Sequence, residues 1–260
     1  HRCAHGLNAR GWQVIATARK PDAVARLRRE GLTALPLDLA DPASIAAGLQ
    51  AALTLTGGRI DALFNNGAFG LPGAVEDLSR EALRAQFETN LFGWHDLTRQ
   101  VIPIMRAQGH GRIVQNSSVL GFVALPFRGA YVASKFALEG LTDTLRLELR
   151  GSGIQVALIE PGPIISRFRE NAYSAYQQFI PAEGSAHQQT YRLMEERLSK
   201  EGPAQPFTLS ADAVLRKLIH ALEHPRPRAR YAVTLPTHLL GLLRRLLPTA
   251  GMDWVLRRAS

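Results

Sequence analysis

Five apolar runs of strand length, at residues 13–18, 32–37, 62–64, 112–116 and 155–159, alternate with stretches of helical period. Those stretches cover 21–30, 42–55, 79–88, 90–108 and 131–150. A strand, a helix and a second strand in succession close into a right-handed βαβ unit with a parallel sheet. The runs are almost continuously apolar, as strands buried on both faces are. The expected fold is therefore α/β, a doubly wound parallel sheet in three α/β/α layers. One such domain can hold most of a 260-residue chain.

Local signals mark the boundaries. Asp41 before Pro42, and Ser79 before Arg80-Glu81, read as helix N-caps. Gly151 and Gly153 supply left-handed residues to end the helix that begins at Tyr131. From 167 to 206 the sequence turns polar, with scattered aromatics at Tyr173, Tyr176, Phe179 and Tyr191. This stretch reads as a helical lid over the site, or else as a surface hairpin that touches no substrate.

Tyr131 and Lys135 lie four residues apart on one helix face, and Ser118 ends the run 112–116 thirteen residues upstream of Tyr131. Catalytic groups of open parallel sheets gather at the carboxyl ends of strands. Tyrosine alone is a weak acid at neutral pH, and an adjacent ammonium favours its phenolate. Such a tyrosine exchanges a proton with a carbonyl or alcohol oxygen, while Ser118 hydrogen-bonds the same oxygen as charge develops.

Five motifs in a fixed order extend this pattern. They are Asn65-Asn66-Gly67-Ala68, Asn90-Leu91-Phe92-Gly93, Ser117-Ser118-Val119-Leu120-Gly121, Tyr131-Val132-Ala133-Ser134-Lys135 and Glu160-Pro161-Gly162-Pro163-Ile164. Through them the chain resembles the short-chain dehydrogenase/reductase superfamily to about residue 235. The resemblance is nearest to the branch holding aldehyde reductases, retinol dehydrogenases and 17β-hydroxysteroid dehydrogenases. It implies a Rossmann-type fold and hydride transfer with a nicotinamide cofactor. It makes Asn90, Ser118, Tyr131 and Lys135 catalytic, with Asn90 holding a water that links Lys135 to solvent. A helix-kinking or capping role for Asn90 is compatible with that. It also implies cofactor contacts from Asn65, Asn66, Gly67, Ala68, Tyr131, Lys135, Pro161, Gly162, Ile164 and Ser166, the last standing where the family usually has threonine.

Two departures from the family pattern stand out. Gly67-Ala68 reverses the usual order, moving the glycine by one residue. The glycine-rich turn that cradles a pyrophosphate is missing, as is the strand before it. Residues 1–11 read as the helix that follows that turn. The sequence is therefore expected to be truncated at its N-terminus, leaving a gap in mid-sheet between the strands at 13–18 and 62–64.

Arg19-Lys20 follow the first run, where an acidic residue would bond the ribose hydroxyls of NAD. Two cations there favour the 2′-phosphate of NADP, unless they form a plain exposed turn. By the resemblance, Asp38 and Leu39 face the adenine; Asp38 can otherwise cap a turn.

The rest of the sequence sets limits. A single cysteine, Cys3, excludes an intrachain disulfide and fits a reducing, cytoplasmic setting, with packing as its expected role. No metal is assigned. Residues 216–260 hold nine Lys/Arg against two Asp/Glu and so carry +7 of the net +9. No nucleic-acid reading motif accompanies these cations. Residues 236–260 read as one basic amphipathic helix, either on acidic lipid or packed on its own domain or a subunit contact. Leu120, Phe122, Val123, Leu125, Phe168, Tyr173 and Tyr176 read as walls for an apolar substrate, some of them ordinary core, while Arg128, Arg167 and Arg169 keep an acidic one open. An NADP-dependent oxidoreductase working as a homodimer or homotetramer is the leading reading. A non-catalytic NADP-binding regulator and a membrane-surface protein acting through its tail are the alternatives.

Overall fold

The computed structural model describes residues 1–199 and 207–259. In chain order its elements are α1 (Arg2–Asn8), β1 (Ile15–Ala18), α2 (Pro21–Arg29), β2 (Thr33–Pro36), α3 (Pro42–Thr56) and β3 (Ala62–Asn65). Then come α4 (Arg80–Phe87), a π-helical segment (Glu88–Phe92), α5 (Gly93–Gln108), β4 (Gly111–Asn116) and a 3-10 turn (Val119–Gly121). The chain continues through α6 (Gly129–Glu148), β5 (Ile154–Glu160), α7 (Phe168–Phe179), α8 (Gln188–Ser199), α9 (Asp212–Glu223), β6 (Arg230–Ala232), α10 (Leu235–Leu246) and α11 (Thr249–Ala259).

The caps work as the sequence implies. Asp41 accepts from the Ala43 amide behind Pro42, and Ser79 accepts from the Ala82 amide. Gly57, in the left-handed region at φ 64°, closes α3. The Tyr131 helix ends differently: its C-cap is Leu149, and left-handed Gly151 and Gly153 shape the turn beyond it.

All strand pairs are parallel. β3, β4, β5 and β6 form one sheet in that order, and β1 and β2 form another. Side chains alternate across β4 and β5. Ile113 and Val156 pack with Leu49, Val101 and Met105 of α3 and α5. Val114, Ala157 and Ile159 pack on the other face with Leu7 of α1 and Leu218 of α9. This is the expected three-layer α/β/α arrangement. No ladder joins β1 to β3 among the described residues. These two strands are mostly half-buried, whereas β4 and β5 are largely buried.

Three features differ from the sequence reading. β6 carries no strong sequence signal, because a three-residue strand containing Arg230 lacks a periodic run. The tail is two helices, broken where Pro248 follows Leu247. Finally, Leu120, Phe122, Val123 and Leu125 pack with Met252 and Leu256 of α11 and Leu240 and Leu243 of α10. They are core between the domain and its tail, because the C-terminal helices cover them.

Candidate active site

Ser118 stands two residues past the carboxyl end of β4. Its hydroxyl accepts from the Leu120 amide at 3.1 Å and caps the 3-10 turn, so its position is fixed by backbone. The Val119 amide reaches the Pro161 carbonyl at 2.8 Å, fastening the end of β4 to the segment after β5. Opposite lies α6, with Tyr131, Lys135 and Glu139 on one face at four-residue spacing, all buried.

Burial pushes the Tyr131 hydroxyl up to about 12, and a hydrogen bond with Ser118 pulls it the other way. Burial pulls Lys135 down to about 7, opposed by the Glu139 carboxylate. Desolvation is therefore the larger force on both groups. The Lys135 ammonium donates to the Asn116 carbonyl at 2.9 Å and sits 4.2 Å from the centre of the Trp94 ring. Trp94 is in turn held by its indole N–H on the Gly67 carbonyl, at 2.6 Å.

Behind Lys135 is a group the sequence reading missed. Arg230 on β6 bonds Glu139, Glu160 at 2.5 Å and Asp143 at 2.6 Å. Burial pushes Glu139 up to about 7, opposed by Ser117 and Arg230. The spacing that pairs Tyr131 with Lys135 also reaches Glu139, one turn further; that signal was present.

Asn90 lies fully buried in the π-helical segment. Its amide nitrogen donates to the Phe69 carbonyl at 2.8 Å and to the Ser134 hydroxyl at 3.3 Å. Its oxygen accepts from the Phe69 amide at 3.2 Å. The Ser134 hydroxyl donates to the Tyr131 carbonyl at 2.8 Å, so Asn90 is tied to α6 through one serine. The kinking role is thus present, as π turns at functional sites often show.

The residues assigned to cofactor contacts fall in three groups. Arg19 and Lys20 are exposed at the end of β1. Asp38 accepts from the Ala40 amide at 3.0 Å, the turn-capping role, and the Leu39 carbonyl lies against Gly93. Asn66 is exposed and accepts from Asn116 at 2.7 Å, beside exposed Gly67 and half-buried Ala68. Asn65 behaves differently: its amide turns inward to Thr98 and Gln115, each at 2.9 Å, because the strand's alternation points it into the protein. Pro161, Gly162 and Ile164 are half-buried after β5, and Ser166 is exposed, its hydroxyl 3.4 Å from the Ile164 carbonyl.

These residues fit a dinucleotide at both ends. Asn116 Oδ1 is buried without a hydrogen-bond partner beside the carbonyl that Lys135 holds, an acceptor open to a ribose hydroxyl. At the other end, exposed Arg19 and Lys20 after β1 offer two cations to an anionic group. A pyrophosphate cradle has no counterpart among the described residues.

The lid stretch forms α7 and α8, and its residues 200–206 lie outside those described. Phe168, the first residue of α7, packs edge-on against the Tyr131 ring with centroids 5.3 Å apart. Tyr176 is instead core, packed with Tyr191 and Leu71. Arg128 is half-buried against Met194 of α8, and burial pulls its guanidinium down to about 10.

A family model described as short chain dehydrogenase matches residues 1–177. The chain is 41% identical over 251 residues to the uncharacterized oxidoreductase YbbO of Escherichia coli (strain K12), covering 96% of this chain and 87% of that one. It is 32% identical over 228 residues to human 17-beta-hydroxysteroid dehydrogenase type 1, covering 86% and 66%. A short chain dehydrogenase/reductase from Burkholderia phymatum, solved in complex with NAD, superposes with a TM-score of 0.72 at 25% identity, over 89% of this chain and 82% of that chain. Fold, site and likenesses together define an oxidoreductase acting on CH–OH groups with a nicotinamide dinucleotide as acceptor. The chain belongs to the short-chain dehydrogenase family.

Proposed function

We propose that the protein transfers hydride reversibly between NADP(H) and the carbonyl or alcohol carbon of an apolar aldehyde, ketone, retinoid or steroid-like substrate. The observation that carries this reading is Ser118, fixed just past the carboxyl end of β4, together with Tyr131 and Lys135 buried one turn apart on α6. When bound, the nicotinamide supplies or accepts the hydride. Tyr131 stays protonated through the neutral range and gives its proton to the developing alkoxide, while Ser118 hydrogen-bonds that oxygen. Lys135, pulled down to about 7, can release and regain a proton at working pH and so reprotonates Tyr131. Asn90, buried in the π-helical segment, supports the relay by holding a water that links Lys135 to solvent, the role the family resemblance implies.

Arg19 and Lys20 support NADP over NAD. Phe168 on Tyr131, and the human relative's name for a steroid alcohol, support an apolar substrate and the branch named above. The same reading includes a homo-oligomer, a reducing cytoplasmic setting, and peripheral membrane contact through residues 236–260. No helix among the described residues is long and apolar enough to cross a membrane.

The test is Tyr131→Phe together with fluorescence titration of NADPH and NADH. Turnover should fall by at least about a thousandfold with cofactor affinity nearly unchanged, and NADPH should bind more tightly. Full activity in the variant would end the assignment.

A further inference from the structure

α10 presents an apolar stripe to solvent. Leu235, Leu239, Leu242 and Leu246 follow one another at helical spacing and are 60%, 52%, 55% and 69% exposed. At 1.5 Å per residue the stripe is about 16 Å long. The opposite side of the helix, through Leu240 and Leu243, is packed on the domain, so the orientation of the stripe is fixed. Exposed His238 and Arg245 flank one edge, and α10 contains no acidic residue. On α11, Trp254 is 59% exposed and the Arg258 guanidinium lies 3.8 Å from the centre of its ring. Residues 235–259 hold four arginines against Asp253 alone.

The stripe begins beside the site. Thr234 and Thr237, at the start of α10, crowd Gly162, where a Cβ would come within 2.1 Å of Thr234 Oγ1. In the same segment after β5, Ile165 is 59% exposed, and Phe168 beyond it is 38% exposed while resting on Tyr131. Exposed apolar side chains thus stand both at the lip of the site and on the face of α10.

We propose that α10 and α11 dock the protein on an anionic phospholipid surface, with the leucine stripe and Trp254 among the acyl chains and Arg245 and Arg258 at the phosphates, and that substrate enters from the bilayer. The charge pattern decides the occupant. A second copy seated on this face would bring histidine and arginine edges together with no carboxylate on α10 to meet them. Phosphate headgroups neutralise the same cations, and the leucines meet a solvent of their own polarity. Arginine stems can lie along the apolar surface while their heads stay at the interface. The docking claim names the face and the lipid for the peripheral contact proposed above and rests on that reading; the entry route rests on the apolar-substrate reading.

The test uses the full chain with vesicles of phosphatidylcholine, alone or mixed with phosphatidylglycerol. The protein should pellet with the mixed vesicles, less so as salt rises, and Trp254 emission should shift to the blue. The double variant Leu239→Asp/Leu242→Asp removes no buried contact and should keep its thermal unfolding midpoint while binding at least tenfold more weakly. No pelleting at low salt, or equal pelleting of the variant, overturns docking. A fall in oligomer size in the variant, with no vesicle binding by either protein, assigns the face to a second copy instead. For the route, hexadecanal carried in mixed vesicles is compared with hexanal in buffer. The variant should lose turnover of the first and keep that of the second; equal loss or no loss overturns bilayer entry. Vesicle binding without turnover of either aldehyde would leave docking in place and count against the hydride-transfer reading.

Discussion

Replacing Lys135 by methionine should abolish turnover and at the same time stabilise the fold at neutral and acid pH. Lys135 is 1% exposed, and burial pulls it from 10.5 to about 7. A group whose folded pKa lies below its unfolded value disfavours folding at low pH. The penalty is full below about 7 and fades as pH rises towards 10.5. The drop corresponds to about 5 kcal/mol at pH 6, from 1.36 kcal/mol for each pH unit. Methionine removes that cost but leaves the Asn116 carbonyl without its donor, which costs about 1–3 kcal/mol. The net expectation is a gain of about 2–4 kcal/mol at pH 6, which at roughly 2–4 °C per kcal/mol raises the melting temperature by about 4–16 °C. At pH 10 the lysine penalty is below about 1 kcal/mol, so the variant should match or fall below the parent. Thermal unfolding and urea denaturation at pH 6, 8 and 10 measure this. A variant less stable than the parent at pH 6, or a difference unchanged between pH 6 and 10, would refute the reasoning.

Two further substitutions probe the surroundings of the site. Glu139→Gln removes the carboxylate that holds Lys135 up, so the limb of the pH–rate profile belonging to Lys135 should move to lower pH by roughly one unit, with KM nearly unchanged. A flat loss of rate with no shift of the limb would reduce Glu139 to a packing role. Gly93→Ala places a Cβ 2.0 Å from the Leu39 carbonyl oxygen, a backbone atom that cannot swing aside. Overpacking of this kind costs about 1–3 kcal/mol or more, so the melting temperature should fall by several degrees, and an unchanged value would show that the loop around Leu39 is free to move.

The strands at the centre of the sheet were legible because burial on both faces demands continuous apolar runs, and β4 and β5 have them. Ser118, Tyr131 and Lys135 were legible because their spacing is local or repeats along one helix. Other features lie outside such reasoning. Asn65 belongs to a motif that points to a cofactor, yet its amide faces Thr98 and Gln115; side-chain direction follows from strand register, which one segment alone does not reveal. Leu120 and Phe122 look like substrate wall until their partners, more than a hundred residues away on α10 and α11, are placed over them. The leucine pattern of the tail continues past Leu246 and hides the break that Pro248 imposes.

The cluster around Arg230 shows how these two kinds of information meet. Its acidic members on α6, Glu139 and Asp143, continue the face that carries Tyr131 and Lys135, so half of it is written in one helix. The other half, Glu160 and Arg230, comes from parallel pairing, where Leu158 of β5 stands opposite Arg230 of β6. A guanidinium shared by three carboxylates keeps Glu139 from being a lone buried charge, and Glu139 in turn supports the charge on Lys135. From Arg230 the chain runs through Thr234, packed on Gly162, directly into α10. The short strand that completes the electrostatics of α6 therefore also sets the starting point and direction of the helix that carries the leucine stripe. A change that loosens β6 should act on both, lowering the charge on Lys135 and freeing the outer face of α10 from its fixed orientation.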